Sequence, residues 1–140
     1  MSAPSLPGLS PYLCVRQAKA AIAFYEKAFG AEVLELYDHE DMVMHATLAL
    51  NGSILMLADE FPEMETQTGN IAPDSLDGRT TTTLTLNVDD TQAWFDRAIS
   101  AGASVIREPK EEFFGLHGKL RDPFGHVWSI MTLKRENQAL

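Results

Sequence analysis

The residue best suited to chemistry in this sequence is His45, which interrupts the mostly apolar run 42–50. An imidazole titrates near neutral pH, so His45 could act as a general base or anchor a ligand. The same side chain could instead lie partly exposed on a strand and hydrogen-bond to nearby backbone. The sequence leaves both interpretations open, and His45 is the candidate catalytic residue.

The other candidate side chains are weaker. His117 and His126 could form a metal site with Glu111 or Glu112, but their spacing matches no ligand motif. Cys14 is the only cysteine, so no intrachain disulfide can form. Its place in an apolar run indicates a packed side chain rather than a nucleophile.

Composition excludes several classes of partner. The chain has 140 residues, 11 of them basic and 20 acidic, for a net charge of −9. Nucleic acids and anionic membranes are disfavoured, because binding to either depends on clustered Lys and Arg. No positively charged segment followed by an apolar run opens the chain, so we expect a cytoplasmic protein. A hydrophobic content of 45% predicts a single domain, residues 1–140, with a core of its own.

The elements that must position these side chains are present twice. Residues 23–28 and 93–98 share the order apolar, aromatic, aromatic, acid, base, alanine. Further along, Gly52 and Gly125 occupy matching places 73 positions apart. A duplicated unit that is too small to bury its own apolar face should pair with its copy and enclose a cleft.

Each copy predicts a β-α-β-β-β order. In the first copy the strand, the helix and the three further strands are residues 12–15, 18–29, 32–37, 42–50 and 53–58. In the second copy they are residues 80–88, 91–101, 103–108, 114–121 and 126–133. Periodicity and the terminal glycines define the helices, Asn51-Gly52 favours a type I′ hairpin, and Pro109 is expected to end a strand. The repeats therefore cover about residues 10–59 and 80–133, joined by a polar connector, 60–79, that we expect to be mobile.

A family pattern runs through both copies. Its motifs are Pro11-Tyr12-Leu13-x-Val15, Ala21-Ile22-x-Phe24-Tyr25-x-x-Ala28-Phe29-Gly30-Ala31, Val88-Asp89-Asp90, Ala101-Gly102-Ala103 and Asp122-Pro123-Phe124-Gly125-His126-x-Trp128. The combination resembles the vicinal oxygen chelate superfamily, which includes glyoxalase I, bleomycin-resistance proteins and extradiol dioxygenases. Within it, the chain is most similar to the glyoxalase-like branch typified by phosphonate-operon B proteins. The resemblance implies an α+β fold in which paired modules, usually across a homodimer, form half-open mixed-sheet barrels around a ligand or a divalent metal.

The resemblance also identifies the positions of the family's metal ligands. Carried over one position at a time, they fall on Ser10, Met56, Thr83 and Ser129. None of these is a His, Glu, Asp or Cys, and a hydroxyl or thioether binds a divalent first-row metal too weakly. We therefore expect no metal and no other cofactor, which disfavours metal-dependent isomerisation and ring cleavage.

Strand alternation extends the predicted cavity beyond these four positions. The expected lining is Ser10, Tyr12, His45, Thr47, Met56, Thr83, Thr85, Phe114 and Ser129. Phe114 belongs to an apolar segment that is either a lip over the cavity or part of a dimer contact. Such a lining suits a neutral or weakly polar organic ligand.

We therefore expect a homodimer that binds or sequesters a small organic molecule, such as an antibiotic or a metabolite. The alternative is an enzyme of the superfamily. It would be either a metal-dependent lyase or isomerase with nonstandard ligands such as His45, or a metal-free enzyme with His45 as its base.

Overall fold

The computed structural model describes residues 5–134, so the first four and last six residues of the predicted domain lie outside the described residues. The first repeat contains β1 (Tyr12–Val15), α1 (Ala18–Phe29), β2 (Glu32–His39), β3 (Met42–Leu50) and β4 (Ser53–Asp59). The connecting segment holds 3₁₀ turns at Pro62–Met64 and Pro73–Leu76, with α2 (Glu65–Thr68) between them. The second repeat contains β5 (Thr83–Asn87), α3 (Thr91–Ala101), β6 (Ser104–Glu112), β7 (Gly115–Arg121) and β8 (Val127–Leu133).

The strands form two mixed sheets of four strands each. The N-terminal sheet has the order β1-β4-β3-β2 and the C-terminal sheet the order β5-β8-β7-β6. In each sheet the first strand pairs in parallel with the fourth, and the other pairs are antiparallel. This is the predicted α+β fold, with two open sheets. No helix among the described residues is long and apolar enough to cross a membrane.

One face of each sheet packs against the helices. Leu48, Leu57, Leu120 and Ile130 on this face are fully buried in the hydrophobic core, together with Tyr25 of α1. Helices α1 and α3 also pack against each other, which joins the two repeats through their helical layers.

The side chains on the opposite side of each sheet define what we call the two open faces. Strand pairing places one set of side chains on the N-terminal open face: Tyr12, Glu35, Tyr37, His45, Thr47 and Met56. It places a second set on the C-terminal open face: Thr85, Arg107, His117, Lys119 and Ser129.

The prediction that Pro109 ends a strand is wrong. Strand β6 continues through Pro109 to Glu112. It lies at the edge of its sheet, and its pairing with β7 shifts register between Arg107 and Lys110. A proline is tolerated there because an edge strand leaves part of its backbone N–H groups without a partner strand.

The segment after β4 is anchored by a buried carboxylate, although its composition indicated a mobile connector. Glu60 accepts hydrogen bonds from Ala72 N at 2.9 Å, Ser75 Oγ at 2.8 Å and Arg16 Nε at 3.3 Å. Burial raises the pKa of Glu60, but these three donors outweigh burial and hold the pKa below its usual value. The charged carboxylate therefore fixes the course of this segment.

A second buried carboxylate, Asp122, joins the two repeats. Its Oδ2 accepts hydrogen bonds from the Tyr25 hydroxyl at 2.6 Å and from Trp128 Nε1 at 2.9 Å. Its Oδ1 accepts from the backbone N–H groups of Phe124 and His126. Since Tyr25 belongs to the first repeat and the other donors to the second, the Asp122 side chain ties the two repeats together.

Removing the Tyr25 hydroxyl should destabilise the fold. We expect Tyr25→Phe to lower the free energy of unfolding by about 1.5–3 kcal/mol, because the change deletes a buried hydrogen bond to a carboxylate. Tyr37→Phe is the matched control: its hydroxyl also donates to a carboxylate, Glu35, but on an exposed side chain. The control should change stability by less than about 0.5 kcal/mol. Urea unfolding measures both, and equal losses would contradict the role of Asp122.

Candidate functional site

The two open faces are not enclosed by a single chain. Two cavities of the described residues, of about 610 Å³ near Arg16 and Lys19 and of about 310 Å³ between Ile54 and Leu86, lie away from the two histidines, although Thr85 of the C-terminal open face lines the second. His45 and His117 line neither of them. The candidate site is therefore the pair of open faces.

A continuous hydrogen-bonded network covers the N-terminal open face. The Tyr12 hydroxyl lies 2.9 Å from His45 Nδ1, and His45 Nε2 lies 2.8 Å from Thr47 Oγ1. The hydroxyl of Thr47 donates to Glu35 Oε1 at 3.4 Å, and the Tyr37 hydroxyl donates to Glu35 Oε2 at 3.0 Å. Five side chains from three strands, β1, β2 and β3, thus form one network that ends on a carboxylate.

The direction of this network follows from Glu35, which only accepts hydrogen bonds when ionised. Thr47 uses its single proton on Glu35, so it accepts at Oγ1 from His45 Nε2–H. A neutral His45 then has its lone pair on Nδ1, which accepts the proton of Tyr12. Partial burial, followed by the nearby Cys14, raises the pKa of Tyr12 and keeps that proton in place.

A second network lies on the C-terminal open face. Arg107 Nη2 lies 3.1 Å from His117 Nδ1, and His117 Nε2 lies 3.1 Å from Ser129 Oγ. An arginine can only donate, so His117 accepts at Nδ1 and carries its proton on Nε2. Lys119 projects from the same side of β7 as His117, directly opposite Ser129.

The two histidines occupy equivalent positions in the repeat. His117 pairs with Met131 across β7 and β8, and the β3–β4 register places His45 opposite Ala58. Ala58 and Met131 are themselves 73 positions apart, the spacing of the duplication. Each repeat thus presents one imidazole at the same place on its open face, with both ring nitrogens hydrogen-bonded to side chains.

The four positions carried over from metal-using relatives do not fit a metal. Met56 and Ser129 lie on the open faces, and Ser129 Oγ accepts from His117. Thr83 is the exposed first residue of β5, while Ser10 precedes β1 and has a buried hydroxyl with no hydrogen-bond partner. Hydroxyls and a thioether are poor ligands for first-row metals, so we derive no chemistry through one.

His117 and His126 do not form the other candidate metal site with Glu111 or Glu112. His126 donates from Nε2 to the carbonyl oxygen of Cys14 at 2.9 Å, next to β8. Glu111 and Glu112 lie at the far end of the sheet, where β6 turns into β7. Within residues 5–134, no group of three or more His, Cys, Asp or Glu side chains is placed to hold a metal ion.

An aromatic pair borders the C-terminal open face. The ring centroid of Phe114 lies 5.8 Å from that of His117 and 5.3 Å from that of Phe113. Phe113 is 86% exposed. The apolar segment singled out from the sequence therefore lies beside the second histidine.

Sequence reasoning missed three side chains of the two networks and one neighbour of the second: Glu35, Tyr37, Arg107 and Lys119. These residues could have been found by extending the predicted strand pairing by one strand, because β2 pairs with β3 and β6 pairs with β7 in the same way.

Comparison with known proteins agrees with this fold. The model of the Glyoxalase/Bleomycin resistance protein/Dioxygenase superfamily matches residues 9–130. An uncharacterized protein of Mycobacterium bovis is 41% identical over 132 residues, which cover 93% of this chain and 86% of that protein.

Two solved structures show the same fold. TioX from Micromonospora has a TM-score of 0.72 at 22% identity, with 94% of this chain and 100% of that chain covered. A PhnB protein from Bacillus cereus has a TM-score of 0.60 at 20% identity, with 90% and 99% covered.

Cys14 should be unreactive in the folded protein. Burial, followed by the charges of Glu60 and Asp59, raises the pKa of its thiol to about 11. At pH 8 only about one thiol in a thousand is then a thiolate, the form that reacts. We expect iodoacetamide to modify Cys14 much more slowly in the native protein than in guanidinium, as followed by mass spectrometry. Similar rates in both states would show that Cys14 is accessible and ionised.

Proposed function

Because this chain belongs to the Glyoxalase/Bleomycin resistance protein/Dioxygenase superfamily, we propose that it binds a small organic molecule between the open faces of two copies, without a metal. The observation that carries the proposal is the pair of hydrogen-bonded side-chain networks on these faces. A few well-placed polar groups beside apolar side chains are typical of ligand sites. The ligand is a metabolite or an antibiotic, and the protein binds or sequesters it in the cytoplasm.

Binding is favoured over catalysis by the state of His45. A general base needs an available lone pair near the reacting proton. The lone pair of a neutral His45 lies on Nδ1 and accepts the Tyr12 hydroxyl, while Nε2 donates to Thr47. The imidazole is therefore held as part of a rigid face, and it would have to give up its hydrogen bond from Tyr12 before it could take a proton from a substrate or bind a metal.

The networks also favour tight binding for an energetic reason. Side chains that are already fixed by each other lose little conformational freedom when a ligand arrives. Thr47 is only 1% exposed and Ser129 only 6%, so their hydroxyls are held firmly in place by their neighbours. The faces are preorganised for a ligand.

Exposed aromatic side chains around the open faces support a homodimer. Tyr12 is 43% exposed, Tyr37 57% and Phe113 86%. Apolar surface of this kind favours association when it is removed from water. We propose that the N-terminal open face of one copy lies over the C-terminal open face of the other, so that a twofold pair holds two clefts.

Loss of the Thr47 hydroxyl should weaken binding. We expect some members of a metabolite and antibiotic library to raise the melting temperature of the wild-type protein. Thr47→Val should raise the dissociation constant of those compounds roughly tenfold, because the isosteric change removes a hydroxyl and interrupts its network. Thr81→Val, an exposed site in neither network, is the matched control and should bind normally.

Elemental analysis of the same samples tests the metal-free part of the proposal, with substoichiometric metal expected. Stoichiometric zinc, nickel, manganese or iron would contradict it. In the binding measurements, equal affinities of Thr47→Val and Thr81→Val would show that the N-terminal open face is not part of the site.

Mixed dimers test whether each cleft is shared between copies. Thr47→Val damages the N-terminal open face and Ser129→Ala the C-terminal one. If a cleft combines the two faces from different chains, unfolding and refolding an equal mixture should restore about a quarter of the clefts, because half of the dimers are mixed and each has one undamaged cleft. Isothermal titration calorimetry counts the sites that bind with wild-type affinity. A count of zero would show that the two faces do not combine across a dimer.

A further inference from the structure

Resting on this proposed function, we propose that the C-terminal open face recognises an oxyanion of the ligand, a carboxylate or a phosphoryl group. The proposal depends on which hydrogen-bonding groups this face offers and on the charge that surrounds them. Both differ from the N-terminal open face.

The hydrogen bonds of the C-terminal network all run in one direction, from Arg107 through His117 to Ser129. Arg107 donates to His117 Nδ1, and His117 Nε2–H donates to Ser129 Oγ. The oxygen of Ser129 therefore accepts, and its own proton remains to be donated. Together with the further N–H groups of Arg107 and the ammonium of Lys119, which can only donate, this proton makes a group of neighbouring donors. Groups that only donate are matched by a ligand group that only accepts.

The positive charge on this face is not neutralised within the chain. Among residues 5–134, neither Arg107 nor Lys119 forms an ion pair. Arg121, on the same side of β7, donates instead to the carbonyl oxygens of Gly78 and Gly125. The nearby carboxylate of Glu112 acts on His117, whose pKa its charge tends to raise. A chain with a net charge of −9 thus keeps two cations close together without a carboxylate partner.

His117 keeps its acceptor role near neutral pH. Burial, followed by the charges of Arg107 and Lys119, lowers the pKa of His117, and these causes outweigh the opposing charge of Glu112. The imidazole is therefore neutral at pH 7, as the hydrogen bond from Arg107 requires.

The comparison between the two repeats shows that this character is specific to one face. The strand pairings place Glu35 opposite Thr47 in the first repeat and Arg107 opposite Lys119 in the second. An acid and a hydroxyl are thus replaced by two cations at equivalent positions. The shared scaffold does not impose this charge, since the first repeat forms the same sheet with the opposite polarity.

The side chains around the cations indicate the rest of the ligand. A guanidinium presents paired donors that match the oxygens of a carboxylate or a phosphoryl group, and an ammonium adds a point charge. Phe114 lies beside His117 and provides an aromatic surface next to these donors. The ligand class is an organic acid or a phosphoryl ester with an apolar body.

Three small probes with one aromatic ring test this inference: phenyl phosphate, benzoate and benzyl alcohol. We expect both anions, and not the alcohol, to shift the NMR signals of the His117 ring and of Arg107 Nε–H. Tighter binding of phenyl phosphate would identify a phosphoryl ligand, and tighter binding of benzoate a carboxylate. Both outcomes support the oxyanion site.

Two variants with the same loss of charge provide the control. Arg107→Gln should weaken binding of the anions roughly tenfold, because it removes charge-assisted hydrogen bonds. Lys27→Gln, at an exposed position of α1, removes one positive charge elsewhere and should change affinity less than about twofold. Both positions are exposed, and the heteronuclear NMR spectrum of each variant verifies its fold.

Equal effects of the two variants, or binding of benzyl alcohol as tight as that of the anions, would overturn the oxyanion site. If anions fail to bind while library compounds remain sensitive to Thr47→Val, only this inference fails and the proposed function stands. If no compound from the library or the probe set binds, both fail.

Discussion

The buried carboxylate of Asp122 is the interaction on which the arrangement of the two repeats depends. A carboxylate that is only 3% exposed is costly unless donors surround it, and here four of them do. Three come from the turn and the strand that follow Asp122, but the fourth is the Tyr25 hydroxyl of the other repeat. The charge is satisfied only when α1 lies against the second repeat, and that position brings α1 and α3 together. Both open faces are then left without a cover inside the chain.

The repeats share their internal construction and differ where they face outward. At the end of the fourth strand, Asp59 accepts from the N–H of Ala18 at the start of α1, and Thr132 accepts from Thr91 at the start of α3. A side chain from the last strand thus satisfies the first turn of the helix in both copies. The scaffold that positions the open faces is common to both repeats, so the two faces could acquire opposite charge without a change of fold.

The sequence predicted the scaffold more fully than the site, for physical reasons. Helices α1 and α3 begin and end at the predicted residues, because apolar periodicity and a following glycine define them locally. The end of β6 was predicted too early, at Pro109, since an edge strand tolerates a proline that a central strand does not. Glu35 and Arg107 lie next to register shifts in β2 and β6, where side chains no longer alternate regularly between the two faces of the sheet. The direction of each hydrogen bond depends on tertiary contacts, so no local pattern reveals it.

If two copies pair as proposed, the opposite hydrogen-bonding character of the two faces determines how a ligand lies in each cleft. Each cleft of that pair combines the N-terminal open face of one copy with the C-terminal open face of the other. The network of the first face ends on the acceptor Glu35, and that of the second ends on the donor hydroxyl of Ser129 beside two cations. A ligand with donors at one end and an anion at the other matches both faces in only one orientation. Reversing it would place the anion beside Glu35 and leave the cations unpaired, so a symmetric dimer can still bind an asymmetric molecule in one direction.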